Sequence, residues 1–141
     1  MFLRDEGGIF DAPLEAVWEF VGSGDGHSSA HDHEDVRRQL DGDTVGTYSW
    51  VQPFRGQKER FTMRWRSYHP LGIAYEVLEG PFEGSRFFLI YEPRGKRTGV
   101  TVVGEFVSPT ISVAELRSAV DGFFSVEFEQ DSAALRARKG R

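Results

Sequence analysis

Residues 112–138, SVAELRSAVDGFFSVEFEQDSAALRAR, decide the fold. Val113, Leu116, Val120, Phe123, Phe124, Ala134 and Leu135 share one face at the 3.6-residue repeat, so the segment reads as an amphipathic helix of about seven turns. Ser112 is placed to cap it, and Glu115, three residues on, completes a capping box. The basic run from Arg136 to Arg141 closes the segment as a solvated terminus whose cations offset the negative end of the helix dipole. A helix with one apolar stripe needs another layer to bury it.

The preceding residues supply that layer. Val36, Arg38 and Leu40 alternate before the turn Asp41-Gly42-Asp43, and Val45 to Phe54 is a long β-type run. Arg55-Gly56-Gln57 turns the chain. Phe61, Met63 and Trp65 then face one way while Arg60, Thr62, Arg64 and Arg66 face the other, the mark of a strand with one dry side. After the break at His69-Pro70-Leu71-Gly72, strands are expected over Ile73–Leu78, Arg86–Tyr91 and Gly99–Val107, and Ser108-Pro109 stops the sheet. Upstream, Gly8 to Asp11 reads as a short extended piece. Asp11 is placed to cap a helix with Pro13 in its first turn and Leu14, Val17, Trp18 and Val21 at helical spacing. His27 to His33 is too polar for a strand and reads as a second short helix or turn that Asp25 can cap. Helices segregated from consecutive hairpins indicate an α+β domain with an antiparallel sheet.

At 141 residues the chain fits a single domain, 1–141, able to bury a core without structural staples. Cysteine is absent, which excludes disulfides, thiolate metal sites and a cysteine nucleophile, and fits a reducing cytosol. The start Met1-Phe2-Leu3-Arg4-Asp5-Glu6 does not read as a signal peptide, and no apolar stretch reaches the length of a membrane span, so a soluble, cytoplasmic protein is expected. A net charge of -5 without a basic face argues against a nucleic-acid partner. The sequence has no Walker loop or dinucleotide fingerprint, and no nucleophile elbow surrounds Ser28 or Ser29. His69 reads as a turn residue.

Ala12-Pro13-Leu14-Glu15-Ala16-Val17-Trp18 matches an "AP-x-E-x-V-W" opening. Glu79-Gly80-Pro81-Phe82-Glu83-Gly84, Tyr91-Glu92-Pro93 and Thr98-Gly99-Val100-Thr101-Val102 look like later hairpins of the same pattern. On these residues nearly the whole chain resembles the START-like (SRPBCC) superfamily of polyketide cyclase/dehydrase and birch-pollen-allergen-like proteins. The resemblance implies a helix-grip fold: a curved antiparallel sheet around a long C-terminal helix, two short helices after the first strand, and a largely apolar cavity. That superfamily includes lipid carriers, hormone receptors, aromatase/cyclases and subunits of larger enzymes, so the fold leaves the activity open. The chain departs from the pattern where a Trp or Pro-rich motif often follows the first helix. Here His27 to His33 takes that place.

Two constellations carry the functional expectations. Trp50, Phe61, Trp65, Phe87, Phe106, Phe123 and Phe124 are candidate walls of a pocket for a hydrophobic small molecule or lipid, or else ordinary core. His27 and His31 stand four residues apart, as do Glu127 and Asp131, and both acids project onto the stripe of the long helix that should be buried. A buried carboxylate needs a cation, a proton or a metal. The resembling fold sets the early helices beneath the C-terminal half of the long helix. This implies that the four meet as a ligand set for Zn²⁺, which also suits Fe²⁺ or Mn²⁺, with His33 in reserve. The competing expectations are a hydrogen-bonded His–carboxylate network, or a long helix that ends early and leaves the acids in water. Three function classes follow: a binder of a hydrophobic ligand, an enzyme of cyclase, dehydratase or hydrolase type, and an interaction module or accessory subunit.

Overall fold

A computed structural model describes residues 1–139, the side chain of Asp25 excepted. Its elements in chain order are β1 (Phe2–Phe10), α1 (Leu14–Val21), α2 (Asp25–Ala30), β2 (Glu34–Leu40), β3 (Val45–Phe54), β4 (Gln57–Tyr68), β5 (Gly72–Glu79), β6 (Arg86–Arg94), β7 (Arg97–Glu105) and α3 (Val113–Lys139). The strands form one antiparallel sheet in the order β1-β7-β6-β5-β4-β3-β2. Consecutive strands are neighbours from β2 to β7, and β1 closes onto the last. The sheet curves around α3, and α1 and α2 fill the gap between β1 and β2 in the chain.

Local chemistry explains the long β3–β4 ladder. It runs unbroken from Val45 opposite Arg66 to Phe54 opposite Gln57, and its turn residues Arg55 and Gly56 both have positive φ, 52° and 85°. That is the primed turn geometry that matches strand twist, and glycine adopts it without strain. Within the ladder Gly46 faces Trp65, whose indole lies where a β-carbon would stand, so the large ring packs flat on bare backbone.

The core divides in two. Leu3, Trp50, Phe61, Met63, Val77, Phe82, Phe87, Val102 and Phe106 pack with Leu116, Val120 and Phe123 of α3. Phe10, Ala12, Val17, Phe20, Ile73, Tyr91 and Val100 pack with Leu135 near the other end of α3. Trp18 anchors α1 by donating its indole N–H to the Pro70 carbonyl at 3.1 Å and laying its ring near His69 and Tyr91.

Several expectations need correction. The first strand starts at Phe2, not Gly8. Only Leu3 and Phe10 are buried in it, and a register shift between Asp5 and Gly8 hides the alternation. Strand β2 starts at Glu34, and β7 ends at Glu105, after which the Phe106 N–H bonds the Met1 carbonyl. Asp11 does not cap α1: Pro13 holds the cap position without a side-chain bond, and the Asp11 carboxylate instead meets Lys139 at 3.4 Å. Val113, the first residue of α3, is 89% exposed and lies outside the buried stripe it was expected to share. Ser112 and Glu115 do meet, hydroxyl to carboxylate at 3.4 Å. The expected cap by the Asp25 side chain lies outside the described residues, as do Gly140 and Arg141 of the basic run. Gly24 holds the cap position of α2.

Phe61 is fully buried among Trp50, Phe54, Phe82 and Phe123. Phe61→Ala should cost about 3–5 kcal/mol in urea unfolding, from lost transfer energy and the void left behind. Leu40→Ala, at a position 75% exposed, should change stability by no more than about 0.5 kcal/mol. Equal losses would contradict the core assignment.

Candidate functional site

Three histidines cluster where α2 ends. His27 lies within α2, His31 holds its C-cap position, and His33 precedes β2. Their rings start a continuous aromatic row. Phe20 meets His27 edge-on at 4.9 Å between centroids, and His27 meets His31 at 5.0 Å. His33 stacks between His31 at 5.0 Å and Trp50 at 4.7 Å, and Trp50 stacks on Phe61 at 5.3 Å. The row carries the polar cluster directly into the larger apolar core.

Helix α3 runs without a break past Asp131, so the early-ending alternative does not hold. Glu127, Gln130 and Asp131 share one side of it at i, i+3 and i+4. Asp131 Oδ1 lies 2.7 Å from His31 Nε2 and 3.1 Å from His27 Nε2, and the two ring nitrogens are 3.3 Å apart. On the opposite edge of the His31 ring, Nδ1 lies 2.7 Å from Gln130 Oε1 and 3.0 Å from Glu127 Oε2. The four expected residues therefore come together, but not on one point. Four residues of helix rise about 6 Å, so the imidazole fits lengthwise between the two carboxylates and separates them. This corrects the expected four-ligand set: Glu127 stands behind His31, not beside Asp131. His33 comes within 4.8 Å of His31 and Glu127 donor atoms. Its Nδ1 pairs with the Tyr48 hydroxyl at 2.7 Å, which in turn donates to Ser28 Oγ at 3.0 Å, where Arg38 also bonds.

The charges follow from this geometry. Burial alone would strip the proton from His31. The hydrogen bond to Asp131 and the negative charges of Glu127 and Asp131 outweigh burial and raise its pKa to about 9. Burial likewise pushes Asp131 up, but hydrogen bonds and charge from both imidazoles reverse this and hold it below the ordinary carboxylate value. In Glu127 burial prevails over the attraction of His31, Asp131 adds repulsion, and the carboxyl is pushed up to about 7. His33, buried beside two other imidazoles, is lowered to about 3 and stays neutral.

The seven aromatic candidates separate. Trp50, Phe61, Phe87, Phe106 and Phe123 are buried in mutual contact, with Phe124 partly buried against them, whereas Trp65 packs partly buried on the second cluster. The break between the clusters is informative. On β5 Tyr75 is partly exposed between buried Ile73 and Val77, and on β6 Leu89 is partly exposed between buried Phe87 and Tyr91. On β4 Trp65 is partly exposed after buried Phe61 and Met63. Trp65 pairs with Tyr75 and Ile73 with Leu89, so the three adjoin on the inner face. Tyr75 and Leu89 touch both clusters. On α3 the partly exposed Phe124, Glu127, Phe128 and Asp131 occupy the interval between buried Phe123 and Ser132. Burial raises the Tyr75 hydroxyl pKa, and the charges of Asp131 and Glu127 raise it further, so the acids border the same region. Two clefts, about 480 and 270 Å³, are lined by other residues, among them Phe54, Pro81 and Ile111 in one and Pro13, Ala16 and Leu135 in the other.

Sequence reasoning missed Gln130, Tyr75, Tyr48 and Arg38. The helical projection that selected Glu127 would also have selected Gln130. Strand alternation would have placed Tyr75 inward. Tyr48 and Arg38 reach Ser28 across the chain and leave no local signal.

No family model matches the sequence, and no curated protein matches it. Solved structures share its fold. TTHA0849 from Thermus thermophilus is 18% identical with a TM-score of 0.77, covering 98% of this chain and 99% of that one. The Zhui aromatase/cyclase from Streptomyces sp. R1128 is 17% identical with a TM-score of 0.76, covering 100% and 95%. Ara h 8.0201 is 11% identical with a TM-score of 0.77, covering 97% and 98%. The chain thus has the START-like helix-grip fold.

A histidine whose folded pKa is raised stabilises the fold fully below its unfolded value of 6.5, and that contribution fades as pH climbs through about 9. The raised Glu127 acts in the same direction around pH 7. In metal-free protein, His31→Ala should therefore destabilise by on the order of 2 kcal/mol more at pH 6 than at pH 9.5, read by urea unfolding. A penalty that is the same at both pH values would contradict the network.

Proposed function

We propose that this domain binds a small, largely apolar molecule at the centre of its grip, between β4–β6 and α3. One observation carries the reading. Trp65, Tyr75 and Leu89, adjoining on the inner face of three neighbouring strands, are partly accessible where a continuous core would bury them. Phe124 of α3 packs on Phe87, the cross-strand partner of Tyr75, with Glu127 and the Tyr75 hydroxyl as the polar groups. Apolar walls with a few convergent polar groups are the usual make-up of small-molecule sites. The ligand class that fits is a compact aromatic or alicyclic body carrying a hydroxyl or carbonyl oxygen. The fold shared with an aromatase/cyclase supports the reading by analogy only.

A second reading, an acid–base enzyme of cyclase or dehydratase type, is favoured by Glu127. A carboxyl titrating near neutrality, whose charge reaches an inner-face hydroxyl, is suited to give and take a proton at working pH. In that case Glu127 carries the proton and Tyr75 orients the substrate oxygen.

Leu89→Trp puts a larger side chain into the junction between the clusters. Titration with the probe anilinonaphthalene sulfonate should show one saturable site in the parent protein. Affinity should fall at least about tenfold in Leu89→Trp, with an unchanged or higher melting temperature. Unaltered binding by a folded Leu89→Trp variant would overturn the reading.

A further inference from the structure

The geometry points to a divalent transition-metal site formed by His27 Nε2, His31 Nε2 and Asp131 Oδ1. These atoms form a triangle with edges of 3.3, 2.7 and 3.1 Å. Zn²⁺ binds imidazole nitrogen and carboxylate oxygen at about 2.0–2.2 Å, so tetrahedral neighbours stand about 3.3 Å apart. The His27–His31 and His27–Asp131 edges lie at or slightly below that spacing, and the His31–Asp131 edge has a hydrogen-bond length that an ion would widen. An ion about 2.05 Å from all three atoms would sit roughly 1 Å out of their plane, with at least one coordination position left for water or a ligand oxygen.

The surrounding groups prepare the same donors. A metal-bound imidazole must offer the lone pair of one nitrogen and keep its proton on the other. Gln130 and Glu127 accept from His31 Nδ1, which holds the proton there and leaves Nε2 for the ion. A carboxylate behind a ligating histidine fixes ring orientation and strengthens the donor, which gives Glu127 a positioning role. Phe20 packs on the His27 ring and restricts its swing. His27 and Asp131 keep 28% and 20% of their side-chain surface, so an ion can enter from solvent, while His31 at 3% is the fixed inner ligand. Two neutral imidazoles and one carboxylate also match the facial triad of non-haem Fe²⁺, so the site is assigned to the first-row divalent class, with Zn²⁺ as the probe.

This inference stands apart from the apolar-ligand reading, since Leu89→Trp should keep full Zn²⁺ binding. Tag-free, chelator-treated protein should take up one Zn²⁺ per chain in calorimetry, confirmed by metal analysis after dialysis. His27→Ala and Asp131→Asn should each weaken binding by at least about 100-fold, and Glu127→Ala by about 10–100-fold. His69→Ala, at the exposed β4–β5 turn, should bind as the parent does. Circular dichroism checks that each variant is folded. If His31→Ala fails to fold, His27→Ala and Asp131→Asn still decide the matter. Absence of Zn²⁺ binding, or equal loss in His69→Ala, would overturn the assignment.

Discussion

The structure depends on how α3 draws Asp131 most of the way out of water. A carboxylate drawn out of water inside a protein costs several kcal/mol unless charge and hydrogen bonds return that energy. Here two imidazoles converge on one of its oxygens. The same contact holds α2 in place. That helix is Asp-Gly-His-Ser-Ser-Ala, six residues with no apolar stripe, and hydrophobic packing alone offers it little. The link therefore works in both directions: the acids need the histidines, and the short helix needs the acids. Gln130 and Glu127 complete the lock by engaging the far nitrogen of His31.

The polar lock also shapes the interior. A helix-grip domain with an apolar stripe along all of α3 would build one continuous core. Here Glu127 and Asp131 interrupt the stripe between Phe123 and Leu135, and the core divides at that interruption. Tyr75 and Leu89 bridge the two parts and remain partly accessible. The break in the core and the polar cluster thus share one cause, the placement of charge on the inward face of a long helix.

Much of this is legible in the chain. The bounds of β3 can be read from sequence because ten residues of β-type sequence end in a turn with glycine. The bounds of α3 can be read to within a residue because its apolar period is long and capped. The meeting of His27 and His31 with Glu127 and Asp131 follows from two four-residue spacings and a resemblance that places the helices. Illegible are features set by neighbours distant in sequence. Phe2 to Glu6 looks irregular alone and becomes strand only because β7 offers a partner edge. Asp11 has the composition of a cap, yet Lys139, 128 residues away, takes its carboxylate. Spacing shows that Glu127 and Asp131 face inward. It cannot show that an imidazole lies between them, because that depends on the path of α2 relative to α3.

The most direct measurement is the protonation state of His31, read from its ring nitrogens by long-range proton–nitrogen NMR on metal-free protein near pH 7.5. Protons are expected on both nitrogens. Adding Zn²⁺ should remove the Nε2 proton and leave the proton on Nδ1, donated to Glu127 and Gln130. A neutral ring carrying its only proton on Nε2, with Nδ1 bare, would contradict this account.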